Sequence, residues 1–183
     1  ALVFGNSSGA VIALDMAKTQ PQAVTAVVAH EPPMPRVLPD SARWQRFFAR
    51  IYWMAWQISG TLALLRFALL LGIPVLRAAG KAPEPPVQRS EKGVDDFVIR
   101  QELLPITNYL PDVDVIRRNG IKVLMAAGQW SLDKNKIYAR TAPVLAEKLG
   151  SEMITFPGHH GSFMDTSEEW AAALRSALHK AVG

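Results

Sequence analysis

Residues 1–33 read ALVFGNSSGAVIALDMAKTQPQAVTAVVAHEPP, and the fold is decided there. Ala1–Phe4 is a short apolar run of strand character, broken by Gly5-Asn6-Ser7-Ser8-Gly9. Ala10–Lys18 then repeats apolar residues at helical spacing (Val11, Leu14, Ala17), and Pro21 marks the exit. Val24–Ala29 is a second apolar run rich in β-branched residues. Glu31-Pro32-Pro33-Met34-Pro35 stops it, because proline cannot continue a ladder. Strand, turn, helix and strand in about thirty residues make a βαβ unit with parallel strands.

The far end of the chain repeats this alternation. Ile121–Ala127 reads as a strand, Tyr138–Leu149 as an amphipathic helix closed by Gly150, and Met153–Phe156 as a last strand. Asp165 or Thr166 caps a final helix over Glu168–Ala181, with acids in its first turn. The middle differs. Trp44, Phe47, Phe48, Ile51, Tyr52 and Ala55 recur at helical spacing, and Ser59–Leu76 is apolar nearly all round. Lys81–Ser90 is a proline-rich loop, Val94–Leu104 a helix stopped by Pro105, and Pro111–Asn119 a further short helix. The expected architecture is α/β, with a parallel sheet of about four strands and flanking helices. Its core is built from 1–35 and 119–183, with 36–118 inserted as a helical cap.

Composition narrows the function classes. The chain has 183 residues, of which 49% are hydrophobic, enough for a packed core. It has no cysteine, which excludes disulfides, thiolate metal sites and a catalytic thiol. Its histidines are His30, His159, His160 and His179, and none pairs with another at a helical metal-ligand spacing, so neither metal nor cofactor is expected. The net charge of +4 comes from scattered residues without a basic-aromatic stripe, so no nucleic-acid partner is expected. Ser59–Leu76 has the length of a membrane span, but Arg66, Gly72 and Pro74 interrupt it and both flanks are basic. Neither a span nor membrane contact is expected, and the location is read as cytoplasmic. The first residues lack a basic n-region and an initiating methionine and begin inside a strand. This reads as a chain without its N-terminal half.

Gly5-Asn6-Ser7-Ser8-Gly9 fits the pattern G-x-S-x-G between a strand and a helix. A serine hydroxyl is a poor nucleophile unless it is exposed, lightly strained and close to a base, and a sharp turn at a strand end presents it so. A Cβ at either flanking glycine is expected to clash with the neighbouring strand or helix. The Ser8 N–H, at the helix start, is placed to stabilise an oxyanion.

From Leu2 to Pro33, and again from Val123 to Phe163, the sequence resembles the α/β-hydrolase superfamily. The segment between matches only as a variable cap. The resemblance implies Ser7 as nucleophile and a histidine in the loop Phe156-Pro157-Gly158-His159-His160-Gly161. The family's Pro-Gly-x-His spacing favours His160 over His159. For the acid it leaves two positions. The usual one follows Ile121–Ala127, where Ser131 stands in place of the aspartate and Asp133 is displaced. The other follows the strand after the nucleophile, as in members resembling haloalkane dehalogenases, where Glu31 stands. Glu31 is the favoured acid and Asp133 the alternative. Those dehalogenases use an aspartate nucleophile. Ser7 instead favours acyl transfer to water, since an acyl-enzyme hydrolyses and an ether does not. The implied activity is that of a cofactor-free serine hydrolase acting on an apolar ester or related acyl substrate. The alternative is a non-catalytic member of the fold that binds a small apolar ligand. The strands before the turn normally bring the second oxyanion donor, so the isolated polypeptide is expected to be weakly active or inactive.

Overall fold

The computed structural model describes residues 1–71 and 97–183. Four strands, β1 (Leu2–Asn6), β2 (Ala26–His30), β3 (Lys122–Gly128) and β4 (Glu152–Phe156), form one sheet in the order β1-β2-β3-β4 with every pair parallel. The central strands β2 and β3 are buried along their length save for Lys122. Such burial requires cover on both faces, which is why these strands read as continuous apolar runs.

The strand period of two separates the faces. Val27, Ala29, Met125 and Ala127 face helices α1 (Ser8–Thr19) and α7 (Ile137–Leu149), packing on Ala10, Leu14, Ala142 and Leu145. Ala26, Val28, Leu124 and Ala126 turn the other way, onto Trp170, Ala177 and Ala181 of α9 (Ser167–Val182). Burying each large apolar side chain contributes about 1.5–3 kcal/mol.

A third cluster lies in the helical insertion. Helix α2 (Ser41–Gln57) packs on α3 (Gly60–Leu71) and on a π-helical turn, Val98–Glu102, that runs into α4 (Leu103–Asn108). Phe48, Ile51, Ala55, Ala63, Ile99 and Leu103 are its buried members. The short helices α5 (Val113–Arg118), α6 (Gln129–Asp133) and α8 (Ser162–Asp165) complete the described α-helices, and Pro21–Ala23 and Pro35–Val37 are 3₁₀ turns.

Several boundaries differ from the sequence reading. β1 continues to Asn6 because Gly5 and Asn6 pair with Ala29 and His30. β2 starts at Ala26 because Pro21–Ala23 forms a 3₁₀ turn. Pro105 does not end a helix; it is the third residue of α4, which the π-helical turn Val98–Glu102 runs into without a break. Helix α6 was not expected at all. The proline-rich loop 81–90, and the parts of the Ser59–Leu76 and Val94–Leu104 readings that fall within 72–96, lie outside the described residues. Among the described residues no helix is long and apolar enough to cross a membrane.

Candidate active site

All four strands end at one edge of the sheet, where ligands of open parallel sheets bind. Ser7 follows β1 there. Its backbone has φ 57° and ψ −124°, a region that costs a non-glycine residue on the order of 1–3 kcal/mol. Neighbours hold it on both sides: its N–H donates to the His30 carbonyl at 3.0 Å, and its own carbonyl accepts from the Ala10 N–H at 3.0 Å. Ser8 opens α1, so its N–H has no acceptor within the helix.

Gly5 is what lets the turn close. A Cβ there would lie 2.2 Å from the Gly9 carbonyl oxygen, which is fixed backbone. Gly9 departs from expectation, since a Cβ there would meet nothing within 4 Å. Gly5→Ala is therefore expected to destabilise the protein by about 3 kcal/mol or more, as overpacking against backbone does. Gly9→Ala, in the first turn of α1, is expected to be neutral or to stabilise by up to about 1 kcal/mol. Thermal unfolding of the two variants checks both; a Gly5→Ala protein as stable as the parent sinks the steric account.

Glu31 and His160 meet beneath this edge. Glu31 follows β2 with φ 48° and is fully buried. One of its oxygens, Oε2, lies 2.6 Å from His160 Nδ1, and the other, Oε1, accepts the Gly128 N–H at 2.9 Å. Burial raises the pKa of the Glu31 carboxyl. The hydrogen bond from His160, the nearby imidazoles and the Gly128 N–H outweigh it and hold the value below the ordinary glutamate range. The ionised carboxylate only accepts, so His160 donates from Nδ1 and its Nε2 is left as an acceptor. His160 is itself buried, at 5% exposure.

Glycines let the loops after β2, β3 and β4 interlock. A Cβ on Gly128 would sit 2.5 Å from the Gly158 carbonyl oxygen, which in turn accepts the Trp130 N–H at 2.9 Å. Gly158 has φ +75°, and a Cβ there would meet Ser162 Oγ at 2.1 Å. Ser162 Oγ accepts the His159 N–H at 2.7 Å, which fixes the loop carrying His160.

The alternatives fall elsewhere. Asp133 is exposed at the end of α6 and accepts from Gln129 Nε2 at 2.7 Å. His159 turns to Asp165, with Nε2 2.9 Å from Oδ2. Neither reaches the Glu31–His160 pair.

Tyr138 of α7 joins the two halves of the site and was not foreseen. Its ring centroid is 4.2 Å from that of His160, and it also lines a cavity that opens at Ser7 and Ser8. The cavity measures about 90 Å³, with Phe48, Leu71 and Leu103 among its apolar walls. Among the described residues the Ser7 hydroxyl has no hydrogen-bond partner, so the serine–imidazole contact is not closed in this arrangement. Such contacts are often long in the absence of substrate and tighten when it binds.

His30, at the end of β2, is a packing residue. It is fully buried, with Nδ1 2.7 Å from Asn6 Oδ1, and Phe156 and Trp170 lie against its ring at 5.1 and 5.7 Å. Burial lowers its pKa to about 4, so at neutral pH it is an uncharged donor to Asn6. Among the described residues no set of three or more His, Asp or Glu side chains converges as a metal site.

No known family profile matches the chain. It is 26% identical over 184 aligned residues to the uncharacterized hydrolase YraK of Bacillus subtilis (strain 168), a match that covers 98% of this chain and 64% of that protein. Among solved structures it resembles one described with the carboxylesterases of the ammonia-oxidizing thaumarchaeon Nitrososphaera gargenis. That likeness has a TM-score of 0.62 and 14% identity, and covers 99% of this chain and 65% of the other. The chain thus spans somewhat less than two thirds of the length of the proteins it matches. Its own fold is that of the α/β-hydrolases.

Proposed function

On the α/β-hydrolase fold that this chain carries, we propose a cofactor-free serine hydrolase that cleaves an apolar ester or related acyl substrate through an acyl-enzyme. The observation that supports it most directly is the buried His160–Glu31 hydrogen bond at 2.6 Å, which aims Nε2 as a base. In this reading Ser7 Oγ attacks the carbonyl carbon while His160 Nε2 takes its proton. The Ser8 N–H donates to the oxyanion. Collapse of the tetrahedral intermediate breaks the ester C–O bond, and the leaving alkoxide recovers the proton from His160. Water, deprotonated by the same nitrogen, then attacks the acyl-enzyme and frees Ser7 and the carboxylic acid. Helices α2–α4 act as the cap that walls the acyl pocket. A cavity of about 90 Å³ suits a short acyl group, since a cavity of roughly 150 Å³ accommodates benzene.

Treatment with a short-chain organophosphonate, followed by peptide mass spectrometry, tests the reading. The adduct is expected on Ser7, with none on Ser8. An adduct on another residue overturns the assignment, and no adduct favours a ligand-binding member of the fold.

A further inference from the structure

Among the described residues, the two longest helices of the insertion have outer faces that their inner packing does not explain. Along α2, Arg43, Arg46, Arg50 and Trp53 follow the i, i+3, i+7 spacing of a single helix face, opposite the buried Phe48, Ile51 and Ala55. Trp53 is 57% exposed and Trp56, one turn on, 50%. On α3, Leu62, Leu65 and Leu69 form the matching stripe, with exposures of 52%, 51% and 80%. A surface helix normally presents polar residues outward, and a helix apolar all round is normally enclosed. Here α3 is apolar on its outer side save for Arg66, and none of the described residues covers Leu62, Leu65 and Leu69.

Charge selects among the surfaces that could cover it. Between Ser41 and Leu71 there are four arginines and no carboxylate. Arg46, Arg50 and Arg66 stand exposed among the apolar residues. A basic helical surface bearing tryptophan and leucine is the composition of elements that lie in the headgroup region of an anionic bilayer. An uncharged apolar partner would leave these guanidinium groups without counter-charges.

We propose that the outer face of the α2–α3 hairpin is a docking surface for an anionic lipid bilayer, lying in its headgroup layer without crossing it. The inner face of the same hairpin supplies Phe48, Phe67 and Leu70 to the cavity at Ser7. One element thus faces lipid on one side and the candidate site on the other, an arrangement suited to taking up an apolar substrate from a membrane surface. The lipid contact itself does not depend on hydrolysis and goes beyond that reading.

Co-sedimentation of the protein with vesicles tests it. Binding is expected with phosphatidylcholine–phosphatidylglycerol vesicles, and much less with phosphatidylcholine alone. Raising the salt weakens contacts to a charged surface. Arg46→Glu combined with Arg50→Glu is expected to lower partitioning at least about tenfold, given the contribution of each basic residue near such a surface. Trp53→Ser and Leu69→Gln, at exposed sites outside the cavity wall, are expected to lower it while leaving the thermal unfolding temperature unchanged. Failure to bind the anionic vesicles overturns the proposal, as does binding that ignores both lipid charge and the arginine changes. Concentration-dependent self-association that Trp53→Ser abolishes also overturns it, by making a second copy the occupant of this face.

Discussion

Ser7→Ala is expected to bring turnover of an activated short-chain ester, itself expected to be weak in this polypeptide, down to the uncatalysed background, a loss of up to the order of 10⁴-fold. On the proposed mechanism no acyl-enzyme forms without the hydroxyl, and the apolar cavity proposed to take the acyl group is untouched. The same position offers a second readout. Ser7 holds φ 57° and ψ −124°, a conformation that glycine adopts without penalty and that alanine does not. Ser7→Gly should therefore be inactive and more stable than Ser7→Ala, by about 1 kcal/mol after the entropy cost of glycine is allowed for. Greater stability with lost activity is the signature of a backbone held under strain for chemistry. If the two variants unfold at the same temperature, strain at Ser7 is not a feature of this turn. If Ser7→Ala keeps its turnover, the nucleophile lies elsewhere.

Glu31→Gln is expected to lower kcat by about 10³–10⁴-fold. The carboxylate accepts two hydrogen bonds, from His160 Nδ1 and from the Gly128 N–H. A glutamine amide offers one acceptor and one donor, so one of those N–H groups would face another donor. If His160 loses its acceptor, the ring is no longer held with Nε2 free to receive the serine proton. The unpaired buried group costs about 1–3 kcal/mol of stability as well.

The pH dependence provides an independent test. The folded pKa of Glu31 lies below its ordinary value. Its contribution to stability is therefore complete above the unfolded value of about 4.3 and disappears as pH falls through the folded one. Glu31→Gln has no such contribution to lose, so the gap in stability between parent and variant should narrow on acidification below about pH 4. His30 acts in both proteins. Its folded pKa of about 4 lies below the ordinary histidine value of about 6.5, so it costs stability as pH falls between the two. Denaturant unfolding of parent and variant at a series of pH values measures the difference. Asp133→Asn is the control: its exposed carboxylate accepts from Gln129 and not from His160, and kcat should not change. A kcat that follows Asp133 and ignores Glu31 would falsify the assignment of the acid.

The sequence by itself determined the βαβ order and the two ends that share one sheet, and it singled out Ser7, with Glu31 or Asp133 and His160 or His159 as the groups to place beside it. The strands and the turn at Ser7 are matters of local period and turn chemistry, which neighbouring residues encode, whereas the acid and the base came from the family resemblance. Val27 and Ala29 against Ala26 and Val28 are legible because side chains alternate along a strand. Ser7 is legible because a strand, a glycine-flanked serine and a helix follow one another within a few residues.

Only the tertiary structure shows which of the competing groups pair with each other. Glu31 and Asp133 are both carboxylates after a strand, and His159 and His160 are adjacent. What separates them is direction: Glu31 and His160 turn inward to each other across 129 positions of chain, while Asp133 and His159 find partners within six residues. Tyr138, read only as the start of an amphipathic helix, lies against His160 because α7 packs on the sheet. The aromatic block was legible as helical, but not which of its residues stay exposed. Helical spacing names a face, and only the neighbouring elements fix whether that face meets protein or solvent.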